Sequence, residues 1–513
     1  MGANQQSSDT SPQPNFQPDL LSTGVNVPLV QGHTDSTGAH DDLNFDKRTV
    51  TYFGAYCTGI NYIIGIGILT MPTVYVNAGI ILSTGCLLLA TLVSYLSVLW
   101  LLEAGARAEG LNSRSPHDNL PNNQISFRKY EVAELCSIFL SPQYGTSVYN
   151  GILSVYMVVC LWAFAAAAGN TGSRTICSFA GEDSDCSYYF PCLISYGCLT
   201  TVFTVRGLKE QVRYQQFLTC YRFFALIVII GVSVYGLAAS VNLNGEPVRT
   251  HFPATNWSAF SAVFSTSVFA QLLHHSVPGI SQPVKNKLLL PRLFRYTLGT
   301  TFGLYTILST SSALFFGEDL EDLVTLNFEE FNGFRKHGTQ APAWALILRY
   351  MVLLFPILDL CSLGPLAGIT LSENILAAAT ENSLRSFGAR NMRVASRLTV
   401  ATLPVILAAF FDNITRIVNI AGTLGFFIAF TVPALLQVGS FKVCLSKNKS
   451  IQEPEVVFSL LGKPGNGPGL LSRALGDVAL LADAKVCSRD ELRGEAEILP
   501  LRALRDYFGT CIG

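Results

Sequence analysis

The chain is 513 residues long, half of them drawn from Ala, Val, Ile, Leu, Met, Phe, Trp, Tyr and Cys, and only 13% are charged, about half the share usual in soluble domains. A mean hydropathy of +0.38 and a net charge of −1 exclude a disordered chain, a disulfide-stapled scaffold and an ordinary soluble enzyme, and leave none of the basic excess of a nucleic-acid binder. A multi-pass membrane protein in a lipid bilayer remains.

Residues 1–48 are rich in Gln, Ser, Thr, Asp and Pro and read as a disordered tail, without the charged and apolar regions of a cleaved signal peptide. Residues 49–102 then carry no Asp, Glu, Lys or Arg. A span needs ~20 apolar residues, so this run predicts two helices with a turn at Asn77-Ala78-Gly79. Further runs cover 135–174, 186–206, 223–245, 250–284 and 296–317. Residues 340–374 are interrupted only by Arg349, Asp359 and Glu373, and 398–411 is short enough that Arg397 must snorkel to complete it. Residues 417–441 close the series at ten expected spans. The runs are continuous rather than alternating, which predicts an all-α bundle and not a barrel. Residues 442–513 are polar again and contain no further span.

Lys and Arg sort the loops. A cytoplasmic N-terminus places fifteen of them on the cytoplasmic side, among them Arg107, Arg206, Lys285, Lys287 and Arg390, and five opposite: Arg174, Arg249, Arg335, Lys336 and Arg416. An even number of spans returns the C-terminus to the cytoplasm. On the opposite side Cys177 and Cys186 are placed for a disulfide. Two glycosylation sequons, Asn256-Trp257-Ser258 and Asn413-Ile414-Thr415, lie there too, close enough to the bilayer that little modification is expected. Plasma membrane and lysosome-like membranes fit this composition equally.

The first run contains Asn61-Tyr62-Ile63-Ile64-Gly65-Ile66-Gly67-Ile68-Leu69-Thr70-Met71-Pro72. Two glycines and a proline within eight residues predict a broken helix. At membrane depth such a break is tolerated where the freed backbone lines a cavity. Freed N–H groups suit a carboxylate and freed carbonyls suit an ammonium or a cation. The same motif is also compatible with close helix packing through small residues. The sixth run is irregular in the corresponding place: Phe269-Ala270-Gln271-Leu272-Leu273-His274-His275-Ser276-Val277-Pro278-Gly279. Paired interruptions in two halves point to a transporter site. The candidate substrate-binding residues are therefore Asn61, Gly65, Ile66, Gly67, His275 and Ser276. His274 and His275 are about 100° apart on a helix, so one of the two is expected to face the cavity. A metal site is disfavoured, because no Asp, Glu or Cys stands at ligand spacing. In the eighth run Asp359 is a candidate proton carrier or a structural carboxylate. Arg349, ten residues before it, is too far along the helix to pair with it.

These motifs resemble the amino acid/auxin permease family of the amino acid–polyamine–organocation superfamily, and more closely the transmembrane protein 104 group. The likeness runs from Asn61…Gly65-x-Gly67-x-Leu69-Thr70-Met71-Pro72 through His275-Ser276-Val277-Pro278, Thr325–Phe328 and Arg349…Phe355-Pro356. The resemblance implies a LeuT-like fold of two inverted five-helix repeats and secondary active transport of amino acids. It implies that the Gly65-Ile66-Gly67 backbone holds the substrate carboxylate. It also implies that Ser362 stands where a sodium-binding hydroxyl is expected. Cys361 beside it removes a second hydroxyl, so the coupling ion is H+ or Na+. The resemblance implies an eleventh span too, which the chain after Phe441 lacks.

The expected activity is transport of neutral amino acids by alternating access, with no enzymatic step and no cofactor beyond the coupling ion. The neutral preference rests on the apolar context of Phe264, Phe269 and Leu272. The alternative is a non-transporting sensor whose N-terminal tail binds a cytosolic partner. A channel and a membrane enzyme are disfavoured, because the ionisable residues are isolated and no HExxH or GxSxG motif is present.

Overall fold

Backbone amides in hydrocarbon must be satisfied within the chain, and every apolar run meets this by becoming helical. A computed structural model describes residues 50–112, 125, 130–180, 188–206, 211–243, 254–335, 340–378 and 388–447. The tail of residues 1–48, nearly all of 442–513, and Cys186 lie outside the described residues.

The helices in chain order are α1 (Tyr52–Ile63), α2 (Gly67–Ala78), α3 (Ile80–Asn112), α4 (Val132–Phe139), α5 (Gly145–Ala180), α6 (Tyr189–Arg206) and α7 (Gln211–Ala239). Then come α8 (Phe260–Ala270), α9 (Val277–Ser281), α10 (Leu290–Phe316), α11 (Ala343–Ala378), α12 (Ala389–Phe410), α13 (Ile414–Phe426) and α14 (Val432–Lys447). The last two are joined by a π-helical turn, Phe427–Thr431. Among the described residues six helices are long and apolar enough to cross a membrane, or seven if α1 and α2, bent by 55° at their junction, form one span. The other expected runs, α6, α8 with α9, and α10, are helical but shorter or richer in polar residues.

Local chemistry sets the boundaries. The turn expected at Asn77-Ala78-Gly79 is present, with Gly79 at φ 85° ending α2. The run 135–174 is not one helix: α4 ends at Phe139 and α5 starts at Gly145. The two pack so tightly that a Cβ on Gly145 would lie 2.3 Å from the Cys136 carbonyl oxygen. Arg397 lies within a helix longer than the uncharged run. Its helix begins at Ala389, long enough by itself, and the guanidinium pairs with Glu373 of α11 at 3.2 Å. Cys177 is disulfide-bonded. Both sequon asparagines cap helical turns, Asn256 accepting from the Ser258 N–H and Asn413 from the Arg416 N–H.

The long helix α5 runs through the middle of the bundle, against α4, α6, α11, α12 and α13. The small residues Ala163, Ala165, Ala166 and Ala167, all fully buried, allow that approach. On the other side α8 packs against α2, α3 and α13. The α8–α13 contact is closest at Gly422, where a Cβ would lie 2.0 Å from the Ser265 carbonyl oxygen.

Gly422→Ala is expected to lower stability by about 2–3 kcal/mol, the upper part of the range for overpacking a close contact, because the opposing atom is backbone and cannot turn aside. Gly85→Ala in α3, where an added methyl meets nothing within 4 Å, is expected to leave stability unchanged. Thermal melting of the two variants in detergent checks both.

Candidate functional site

The first break is the segment Ile64-Gly65-Ile66. The Ile64 N–H still bonds to Ile60 O, but its ψ of 99° turns the chain out of the helix. Helix resumes at Gly67 with no side-chain cap. The N–H groups of Gly65, Ile66 and Gly67 have no acceptor among the described residues. A Cβ on Gly65 would meet nothing within 4 Å, so open space adjoins Gly65, while Ile66 and Gly67 are buried. Pro72, expected to help break the helix, lies inside α2 instead.

The carbonyls freed at the end of α1 are satisfied by two other helices. Ile63 O accepts from Tyr305 Oη of α10 at 3.2 Å, and Ile64 O accepts from Arg222 Nη1 of α7 at 2.7 Å. The same guanidinium donates through Nε and Nη2 to Asp359 Oδ1 of α11, at 3.2 and 2.5 Å. Arg222 and Asp359 are only 4% and 5% exposed. One buried cation thus joins the first break, α7 and α11.

The second break lies between α8 and α9. Gln271, Leu272 and Leu273 leave the helix, and His274–Ser276 form a 3-10 turn. The two histidines diverge. His274 Nε2 lies 2.7 Å from Ser97 Oγ and 3.3 Å from Ser94 O of α3, with its ring edge-on to Phe430 of the π-helical turn. His275 turns toward α1, where Tyr62 stands edge-on to its ring.

The two broken helices run antiparallel with their breaks level. α2 packs along α8 and α1 meets α9. The start of α1 is tied to the end of α9 by Val50 N–H to Pro283 O, 3.0 Å, and the end of α2 to the start of α8 by Asn256 N–H to Ala78 O, 2.7 Å. At the level of the breaks, Gly67 approaches the Phe269 ring so closely that a Cβ would lie 3.1 Å from it and 3.4 Å from Tyr305 Oη.

Gly65, Ile66 and Gly67 therefore form the first break and His275 and Ser276 the second, with Asn61 in the last turn of α1 and His275 against Tyr62 beside it. Within that group Gly65 faces open space and Gly67 faces packed side chains. Asp359 is not a free carboxylate but half of an ion pair. Ser362 is buried one turn further along α11. Of the apolar residues read as a neutral-substrate signal, Phe264 packs with Phe260 and Phe426, and Leu272 closes on Gly425, so Phe269 alone approaches the first break. Arg222 and Tyr305 were not legible as site residues. Arg222 reads as the charged boundary of the run that follows it. Its signal is that helical periodicity extends upstream to Gln211, which puts an arginine well inside a helix opposite the lone Asp359.

At the end of the bundle where α2 finishes, the segment between α10 and α11 covers the break. Val324 N–H donates to Leu69 O, Thr73 Oγ1 to Glu321 O, and Thr415 Oγ1 to Asp322 Oδ1. Arg174 of α5 reaches Glu321 at 3.4 Å and Glu329 at 3.3 Å. Burial holds the Glu329 carboxyl above its ordinary 4.5, against the opposing pull of Arg174 and Arg349.

No protein-family model matches the chain. It is 25% identical over 467 residues to a transmembrane protein 104 homolog of Caenorhabditis briggsae, covering 80% of this chain and 90% of the relative. Among solved structures, an inward-facing conformation of Mhp1 superposes with a TM-score of 0.49 at 13% identity, covering 85% of this chain and 86% of that one. MhsT in complex with L-phenylalanine superposes with a TM-score of 0.48 at 13% identity, covering 86% and 98%. With relatives named as transmembrane proteins and several helices of spanning length, the chain is a multi-pass membrane protein.

Removing one member of the buried pair leaves an uncompensated charge, which costs about 3–5 kcal/mol. Arg222→Met and Asp359→Leu are each expected to lower the melting temperature sharply, and the double variant to recover part of the loss, the remainder being the Ile64 carbonyl left without its donor. A double-mutant cycle read by thermal melting checks this. For Glu329 the folded chain binds its proton more tightly than the unfolded chain. Its contribution is complete below about pH 4.5 and is lost as pH rises through the raised value. Glu329→Gln is expected to show a smaller fall in melting temperature between pH 4.5 and neutral than the parent.

Proposed function

We propose that the chain is a secondary active transporter of uncharged amino acids that works by alternating access and is coupled to protons, with the resemblance to the amino acid/auxin permeases as a supporting analogy. The observation that carries the reading is the pair of level, antiparallel breaks, with N–H groups of Gly65, Ile66 and Gly67 that have no acceptor among the described residues and open space beside Gly65. Donors at a helix N-terminus favour an anion, and the carboxylate common to all amino acids fits them. Asn61, His275 and Ser276 stand where the rest of the substrate would lie.

In this reading α1–α7, without the short α4, form one five-helix repeat and α8–α13, continued through the π turn into α14, form a second and inverted one. Each begins with a broken helix, and the bundle carries ten spans with both termini cytoplasmic. The bends at the two breaks are the hinges about which one group of helices rocks. The segment carrying Val324 and Glu329 closes the outer end while the inner end exchanges substrate.

Asp359 and Arg222 supply the coupling. A sodium ion between α1 and α11 would need the Ile64 carbonyl and the Asp359 carboxylate, with Ser362 as a further ligand. Arg222 already places a fixed positive charge on both groups, which favours a proton over sodium. A proton arriving at Asp359 removes the charge that holds the guanidinium to α11 and leaves it on Ile64 O, so α1 is freed to move relative to α11. Deprotonation restores the bridge.

Purified protein in liposomes is expected to accumulate labelled amino acids above equilibrium under an imposed proton gradient and not under a sodium gradient. Gly65→Ala is expected to keep its melting temperature, because the methyl enters open space, and to lose uptake. Gly67→Val is a poorer probe, because its side chain strikes Phe269 and Tyr305. Uptake by Gly65→Ala at the parent rate would overturn the site. Absence of flux under either gradient, with an amino acid still raising the melting temperature, would favour the sensor over the transporter.

A further inference from the structure

Gln271 is the first residue to leave α8 at the second break, and it is fully buried. Its Oε1 accepts from Thr301 Oγ1 of α10 at 3.0 Å, and its Nε2 has no partner. Thr301 also donates to Leu298 O at 3.0 Å. If the amide is turned over, Nε2 donates to the threonine oxygen and Oε1 becomes the unpaired atom. One polar atom of the side chain is left over in either orientation.

The location of that atom follows from α10. Thr301 and Tyr305 are one turn apart on the same face. Tyr305 caps Ile63 O of the first break, and its hydroxyl lies beside the Gly67–Phe269 contact. Gln271 is therefore held on the face of α10 that lines the level of both breaks. Neighbouring positions carry the same deficit: His274 Nδ1 and His275 Nδ1 are also buried and unpaired. An unmet buried polar group costs about 1–3 kcal/mol, and three within five residues is a concentration that a ligand would relieve.

Building on the transport reading, we propose that Gln271 is a specificity-determining residue, and that the substrate's side chain is uncharged and carries a hydrogen-bonding group, a carboxamide or a hydroxyl, in preference to an apolar chain of the same size. Such groups both donate and accept, so they answer Gln271 in either orientation of its amide. A charged side chain lacks a counter-charge at the breaks, because Arg222 and Asp359 are spent on each other. An apolar side chain leaves the Gln271 amide unpaired, and sites with a buried polar group reject such analogues.

The test uses isosteric pairs, L-asparagine against L-leucine and L-threonine against L-valine, competing for binding and uptake by the full chain. The polar member of at least one pair is expected to bind roughly tenfold to a hundredfold more tightly, the range that one unpaired buried group produces. Gln271→Leu is expected to bring that ratio to about one while apolar binding persists. Gln271→Met serves if the leucine variant does not fold, and the parent ratio needs no variant. Equal binding within both pairs by the parent, or a ratio unchanged in the variant, overturns the assignment and leaves the transport reading standing. Absence of binding by all four amino acids overturns the transport reading and this assignment with it.

Discussion

A helix interrupted inside a bilayer exposes backbone carbonyls that no water can reach, and the arrangement of this bundle follows from how they are satisfied. Arg222 answers Ile64 O and Tyr305 answers Ile63 O. Because a guanidinium has five donors in a planar fork, Arg222 can hold the carbonyl and still neutralise itself on Asp359. A lysine would offer a point charge without that geometry. The first break is thus the junction at which α1, α7, α10 and α11 meet.

The two ends of the break have opposite character. The carbonyl end is closed by protein groups, and the N–H end at Gly65, Ile66 and Gly67 is left for something else. The second break repeats the asymmetry with side chains. His274 is bound into α3 through one nitrogen, while its other nitrogen, Gln271 Nε2 and His275 Nδ1 have no partner.

The ends of the bundle keep the two breaks in register. Val50 on Pro283 and Asn256 on Ala78 pin the broken helices to each other at their outer limits, so any change of angle concentrates at the bends between them. The segment over α2 is held by one backbone hydrogen bond to Leu69, by the Thr73 hydroxyl and by the partly exposed Arg174 clamp on Glu321 and Glu329. Exposed pairs contribute little to stability, so the backbone bond to Leu69 and the Thr73 hydroxyl do more to hold this segment than the Arg174 clamp.

Uncharged runs, broken helices and the turn at Gly79 were legible in the chain itself, because lipid imposes a length and a polarity on each span and glycine carries its own backbone signature. Reading each run as one element failed between Phe139 and Gly145, where a tight α4–α5 contact decides the boundary, and the Arg397 partner, Glu373, comes from another helix and was not legible. The same limit applies to the site. Gly65 and Gly67 are equivalent in sequence, and tertiary packing alone turns one to open space and the other to Phe269. Asp359 reads as an isolated carboxylate until α7 brings Arg222 against it from 137 residues away. Periodicity and composition are local properties, so they determined that this is a helical membrane protein with two interrupted helices. Charge pairing and hydrogen-bond satisfaction join residues distant in the chain, so only the tertiary structure decided which groups at the breaks already have partners and which do not.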